Sequence, residues 1–185
     1  MTVRELVQLA IRLLEDASAE YVVVGAMAYF LYGRPRATND ADFVVSTTTA
    51  GLERVLASLP PQCHIDPQAR MELFTATMRW IVNIEGSPLK LEFFLLNNDP
   101  HHLEEFKRRA AVVGAARRNG SLGRDCRGYP HPKATLVPAE GSGRNPHILS
   151  VQGGALDVPY IESWCERHGT RARLDEIRRS IPAGI

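Results

Sequence analysis

Two aspartates stand two positions apart in the stretch TNDADFVV, where a polar segment turns apolar. Side chains two positions apart on a strand point to the same side, so the carboxylates of Asp40 and Asp42 would lie roughly 6.5 Å apart. Two carboxylates this close repel one another unless a cation lies between them. Hard oxygen ligands suit magnesium. The spacing therefore predicts a site for a pair of Mg²⁺ ions, although aspartate is also common in turns and caps that bind no metal.

A third carboxylate lies in the segment LKLEFF. Glu92 is an acid inside an otherwise apolar strand, on the opposite face from Leu91 and Phe93. On a strand next to the aspartates it would complete the site, so we expect Asp40, Asp42 and Glu92 to be metal-binding residues. On an exposed edge strand the same glutamate would have no role.

Residues that suit a phosphate group precede the aspartates. Gly25 and Ala26 follow an apolar strand and open a helix, so their backbone N–H groups could receive a triphosphate. Arg34 and Arg36 lie between that helix and the aspartates, within reach of the same phosphates. The two arginines are also compatible with ordinary surface charges.

Hydrophobic patterning predicts the elements that position these residues. A capping box, Thr2 and Glu5, opens an amphipathic helix, and YVVV is a short β-branched run typical of a covered strand. Helices are predicted over 26–33 and 50–59, a strand over 42–45, and a hairpin from RWIVNI and LKLEFFLL joined by EGSP. Asp99 and Pro100 begin a further helix. The alternation of types predicts an α/β (α+β) fold, a mixed sheet flanked by helices.

The C-terminal third divides into two parts. Residues 117–145 carry many glycines and prolines without a sustained period and are predicted to be loop. Asp157 and Thr170 then cap two helices that form a C-terminal helical hairpin. We therefore expect a core over 1–116, an irregular connecting region over 117–150 and a helical pair over 151–185.

The amino-acid composition limits the class of protein and its expected location. The chain is 44% hydrophobic and 23% charged with a net charge of +1, which is typical of a globular protein and gives no strong global attraction to nucleic acid. The three cysteines fit no metal-ligand spacing, and no secretory segment is recognised, so we expect a cytoplasmic protein. The most apolar run, residues 21–31, is shorter than the roughly 20 residues of a membrane span.

The joint pattern resembles a known superfamily. An apolar strand with Gly25-Ala26, then TNDADFVV and later KLEFF, is similar to the nucleotidyltransferases that share the fold of DNA polymerase β. The motif from Gly33 through Arg36, Thr38, Asp40 and Asp42 is similar to the bacterial AbiEii/AbiGii-type nucleotidyltransferase toxins. The likeness covers roughly two thirds of the chain.

The resemblance implies an activity and a set of partners. Nucleoside monophosphate would pass from a nucleoside triphosphate to an acceptor hydroxyl, with Asp40, Asp42 and Glu92 as the catalytic residues that bind two Mg²⁺ ions. Gly25, Ala26, Arg34, Arg36 and Thr38 would hold the nucleotide. The family also implies a toxin of a toxin–antitoxin or phage-defence pair, with tRNA or a protein as acceptor and a cognate antitoxin as partner.

The chain departs from the family pattern in three places. Ala26 replaces the usual serine or glycine, and Glu92 replaces the commoner aspartate. In the irregular region 117–146, Gly143 to Pro146 stand where the family usually carries a lysine and an aspartate before the tail, as a frameshift or local degeneration would produce. Two alternatives therefore stay open: a remnant that binds nucleotide or a partner without transfer, and an enzyme that nucleotidylates a small molecule such as an antibiotic.

Three histidines and a cysteine complete the candidates. His101 and His102 lie in a first helical turn, and we expect them to be exposed. Cys165 and His168 are three apart on a helix and could form half of a zinc site, but the sequence shows no second half. We interpret that pair as structural.

Overall fold

The computed structural model describes residues 1–27, 37–68, 70–72, 77–111, 127–130, 149 and 156–181. The helices are α1 (Val3–Asp16), α2 (Thr49–Ala57), α3 (Pro100–Lys107), α4 (Val158–Arg167) and α5 (Arg171–Ser180). The strands are β1 (Glu20–Val24), β2 (Asp40–Ser46), β3 (Cys63–Ile65), β4 (Arg70–Glu72), β5 (Thr77–Ile84), β6 (Lys90–Leu95), β7 (Arg109–Ala111) and β8 (Arg127–Pro130).

The main sheet is mixed. Its strand order is β1-β2-β6-β5-β3, and β4 also pairs with β5. Strands β2 and β6 are parallel, whereas β1–β2, β5–β6, β3–β5 and β4–β5 are antiparallel. The parallel pair lies in the middle of the sheet, and it is formed by the two strands that carry the acidic residues. The predicted mixed α/β architecture is confirmed.

One face of this sheet is covered by α1 and α2. Their apolar stripes pack on the alternate strand residues that point to that face, and the rings of Phe43 and Phe93 stack there with centroids 5.5 Å apart. Strand β2 shows the consequence, because its residues alternate between buried and half-buried from Asp40 to Ser46. Asp40 and Asp42 therefore lie on the face turned away from this core.

The helix ends agree with the predicted caps in most cases. The Thr2–Glu5 capping box is present, Asp99 accepts bonds from the backbone N–H groups of His101 and His102, and Asp157 accepts one from Tyr160. Thr170 occupies the N-cap position of α5 but makes no side-chain cap bond. The two C-terminal helices bury a small core of their own: Leu149, Ile161, Cys165, Leu174 and Ile177.

The loop predicted over 117–145 is wrong at residues 127–130. These residues form β8, which pairs with β7 in a separate two-stranded sheet. Four residues are too few to show a period among the surrounding glycines and prolines. The short strands β3 and β4 also lacked a signal in the sequence. Most of the helix predicted over 26–33 lies outside the described residues, and residues 25–27 are helical.

Candidate active site on the acid face of the sheet

The parallel pairing of β2 with β6 brings two of the predicted carboxylates together. Asp42 is the register partner of Glu92, and Asp40 is the partner of Lys90. Because partners in a sheet share a face and neighbouring strands are about 4.8 Å apart, the three acids occupy one patch. Each of the three residues is half-buried. We call this patch of Asp40, Asp42 and Glu92 the acid face.

Gly25 lies directly beneath the carboxylate of Asp42. Its neighbour Val24 is the antiparallel partner of Asp42, and the chain turns at Gly25 with a φ of 62°. A Cβ atom on Gly25 would lie 1.9 Å from Oδ2 of Asp42 and 2.9 Å from its Cγ. Glycine is thus required twice here, for the left-handed backbone and for the space that the carboxylate fills. Gly25 is exposed and Ala26 is buried.

The side chain of Thr38 forms two hydrogen bonds with the backbone of Asp40. Its Oγ1 accepts a hydrogen bond from the N–H of Asp40 at 3.2 Å and donates one to the carbonyl oxygen of Asp40 at 3.1 Å. A hydroxyl has a single proton to donate, and a phosphate oxygen needs a donor. This geometry suits Thr38 to positioning Asp40, and the predicted contact of Thr38 with nucleotide stays a prediction.

Arg79 is a further residue of the site, and the sequence interpretation missed it. Its Nη1 donates to Oε2 of Glu92 at 3.1 Å, and the two side chains are only 27% and 15% exposed. Arg79 lies on β5, which pairs with β6 so that Ile81 is opposite Glu92. The register of the hairpin could have indicated this contact. Arg79 and Glu92 are diagonal to one another across the antiparallel pair, and a long side chain can span that distance.

The side chain of Glu92 is directed toward Arg79. Among the described residues, the one group of three His, Cys, Asp or Glu ligand atoms that all lie within 4.8 Å of one another is formed by Asp99, His101 and His102. The three carboxylates of the acid face match Mg²⁺ in donor type and in strand register, but in this conformation they do not bring one oxygen each within 4.8 Å of the other two.

Two predicted nucleotide-binding residues, Arg34 and Arg36, lie outside the described residues. The membrane prediction has a separate check. In the described ranges, no helix combines the length and apolar character that crossing a bilayer requires.

Comparisons with known proteins give matches among solved structures. No family model matches the sequence, and no curated protein matches it. The solution structure of the antibiotic-resistance factor ANT(2'')-Ia is 13% identical, with 95% of this chain and 94% of that one covered and a TM-score of 0.52.

Two further matches have lower TM-scores. The protein JHP933 from Helicobacter pylori is 17% identical over 69% of this chain, with a TM-score of 0.38. A CCA-adding enzyme in complex with ATP is 17% identical over 62% of this chain and 27% of its own, with a TM-score of 0.39. The chain spans about half the length of the Helicobacter protein, since 50% of that protein is covered. The chain shares the fold of ANT(2'')-Ia, a mixed sheet flanked by helices.

Proposed function

We propose that the chain is a Mg²⁺-dependent nucleotidyltransferase that moves a nucleoside monophosphate from a nucleoside triphosphate to an acceptor hydroxyl. The observation that carries this proposal is the register of β2 and β6, which places Asp42 beside Glu92 with Asp40 two residues away on the same face. The turn at Gly25 ends beneath Asp42, so the proposed phosphate site and the proposed metal ligands are adjacent.

In the proposed reaction the acceptor oxygen attacks the α-phosphorus. A phosphorus–oxygen bond forms, the bond from the α-phosphorus to the oxygen that bridges to the β-phosphate breaks, and pyrophosphate leaves. Bound Mg²⁺ would neutralise charge on the phosphates and on the attacking and leaving oxygens. The chain contributes carboxylates at fixed spacing and backbone N–H groups at residues 25–26, so its share of catalysis is mainly positioning and electrostatics.

Glu92 has the second role of receiving the proton of the acceptor hydroxyl. Its ion pair with Arg79 keeps one oxygen occupied, and the other remains available for a ligand or a proton. Because Glu92 is longer than aspartate by one methylene, it can reach both Arg79 and the space above Asp42 by rotating its side chain. In this proposal the side chain of Glu92 would rotate from Arg79 toward the aspartates when nucleotide and Mg²⁺ are bound.

The acceptor is proposed from the motif that runs from Gly33 to Asp42. Its likeness to AbiEii/AbiGii-type toxins supports tRNA or a protein as the acceptor and a cognate antitoxin as the partner. Arg34 and Arg36 would contact the triphosphate in this scheme.

A second candidate function is nucleotide binding without transfer. It is favoured by the ion pair of Glu92 with Arg79 and by the separation of the three carboxylates in the described conformation. In this case Arg79 replaces the metal as the permanent partner of Glu92. The acid face would then hold a triphosphate through Mg²⁺ on the two aspartates alone.

The test uses nucleoside triphosphates labelled at the α-phosphate. Each is incubated with the protein, Mg²⁺ and separate fractions of total RNA, soluble protein and small metabolites. Label in RNA or protein supports the proposed acceptors, and label in small molecules supports the antibiotic-type alternative. Binding without any transfer supports the second candidate, and the absence of both binding and transfer contradicts the proposal. Asp16→Asn, a change of an exposed aspartate at the end of α1, is the matched control for Asp42→Asn.

A further inference from the structure

A second group of metal-ligating side chains, none of them part of the acid face, lies at the start of α3. One ligand atom each from Asp99, His101 and His102 lies within 4.8 Å of the other two. Oδ1 of Asp99 accepts the backbone N–H groups of His101 and His102 at 2.8 and 3.2 Å, so the carboxylate is fixed in orientation. We call these three residues the histidine cluster.

His101 is buried without a hydrogen bond at Nε2. The residue is 6% exposed, contrary to the expectation that it would be exposed, because it packs against Trp164 of α4 with ring centroids 4.6 Å apart. Its Nε2 makes no hydrogen bond with a described residue, and the nearest carboxylate oxygen, Oε1 of Glu105, is 3.6 Å away. A buried polar atom without a partner costs free energy, which a bound ion would recover.

The tautomer of His102 is fixed by Asn97. Nδ1 of His102 lies 2.7 Å from Oδ1 of Asn97, and the backbone N–H of Asp99 donates to the same atom at 3.1 Å. An atom that accepts from a backbone N–H is the amide oxygen, so Nδ1 of His102 must be the donor. Nε2 then carries a lone pair. A histidine ligand commonly donates its other ring N–H to an oxygen in this way.

His168 places this cluster against the C-terminal helices. Its ring lies 5.1 Å from that of His101, so the histidine that the sequence suggested as half of a zinc site lies beside His101. Cys165 is fully buried in the C-terminal core and is a packing residue.

We infer that Asp99, His101 and His102 form a binding site for one divalent transition-metal ion of the zinc class, separate from the Mg²⁺ site proposed on the acid face. Two imidazoles and a carboxylate suit Zn²⁺, Co²⁺ or Ni²⁺ far better than Mg²⁺. An ion held there would fix the start of α3 where it packs on α4. The inference does not depend on the proposed function.

The test is a calorimetric titration of the full chain with Zn²⁺, after chelator treatment and in the presence of excess Mg²⁺ and a thiol-free reductant. We expect one Zn²⁺ per chain, with binding weakened by more than about 100-fold in His102→Gln, since losing even an outer partner costs 10- to 100-fold. His64→Gln is the matched control, because His64 is an exposed histidine on β3. Asp42→Asn should bind Zn²⁺ as the wild type does.

A measurement without variants guards against misfolding of His102→Gln. Zn²⁺ should shift the ring resonances of His101 and His102 in the NMR spectrum and leave those of His64 in place. The inference is overturned by a wild type that binds no Zn²⁺, by equal affinities of His102→Gln and His64→Gln, or by shifts confined to other histidines.

Discussion

The acid face and the histidine cluster both gather metal-ligating side chains, but the fold builds them in opposite ways. The acid face displays three half-buried carboxylates on the sheet, and its third member is ion-paired with Arg79. The histidine cluster holds one carboxylate and two imidazoles at a helix start, with His101 buried behind Trp164. One site uses oxygen ligands on strands, and the other uses mainly nitrogen ligands on a helix.

The difference indicates how one chain could bind two different metal ions at separate sites. Hard oxygen ligands suit Mg²⁺ with substrate phosphates, whereas two imidazoles, that of His101 buried, would favour a transition metal. In the proposed function Glu92 would exchange Arg79 for an ion, whereas the ligand atoms of the histidine cluster already lie within 4.8 Å of one another. Four substitutions in and around the acid face test this comparison, and they follow in order of expected effect.

The largest effect is expected from Asp42→Asn. Loss of a carboxylate that holds Mg²⁺ removes several kcal/mol of transition-state stabilisation, so transfer should fall by about 1,000-fold or more. Thermal unfolding should stay close to that of the wild type, because Asp42 lies on the face turned from the main core. Transfer by Asp42→Asn at the rate of Asp16→Asn would contradict the assignment.

Gly25→Ala should come next. The new methyl group would meet Oδ2 of Asp42, so the carboxylate must move, and a displacement of about 1 Å can cost about 100-fold in rate. Gly86→Ala is the matched control, since Gly86 has a φ of 66° and nothing within 4 Å of its Cβ position. Both variants should lose about 1–2 kcal/mol in the free energy of unfolding from the left-handed backbone. Only Gly25→Ala should lose activity.

Thr38→Val separates positioning from nucleotide contact. Removing the two bonds to the backbone of Asp40 should lower kcat by about tenfold, with the KM for nucleotide nearly unchanged. Thr38→Ser keeps the hydroxyl and should restore kcat. A rise in KM at constant kcat would instead show that Thr38 binds the nucleotide.

Arg79→Met should produce the smallest effect, and in the opposite direction. Without the competing guanidinium, Glu92 is free to bind Mg²⁺, so the Mg²⁺ concentration for half-maximal activity should fall by about threefold. A titration of activity with Mg²⁺ measures this shift. Arg54→Met, a change of an exposed arginine on α2, is the control, and an unchanged or higher Mg²⁺ requirement would show that Arg79 does not compete for Glu92.

Much of the fold follows from local patterns in the sequence. Caps at Thr2, Asp99 and Asp157, the hairpin of β5 and β6, and the strand at DFVV are each set by neighbouring residues, and all were predicted. β8 and the burial of His101 were not, because each depends on a partner distant in the sequence. His101 is covered by Trp164, which lies on α4.

The candidate site also has features that the sequence predicts and features that depend on contacts between distant residues. Residue types and spacing suggested Asp40, Asp42, Glu92 and Gly25, since the chemistry of these residues is visible in the chain itself. The register of β2 with β6 and the ion pair of Arg79 with Glu92 are properties of strand pairing, so a single sequence indicates them weakly. The role of Thr38 at the backbone of Asp40 needed coordinates, because a hydroxyl gives no sign of which group it binds.

Binding of a manganese–nucleotide complex tests whether the acid face holds a metal ion and a nucleotide. The acceptor need not be known. A non-hydrolysable nucleoside triphosphate is titrated into the protein with Mn²⁺ as a spectroscopic substitute for Mg²⁺, and bound Mn²⁺ is followed by electron paramagnetic resonance. We predict that the wild type and Asp16→Asn bind the complex, whereas Asp42→Asn loses it. Equal binding of Mn²⁺ and nucleotide by Asp42→Asn and the wild type would contradict the account.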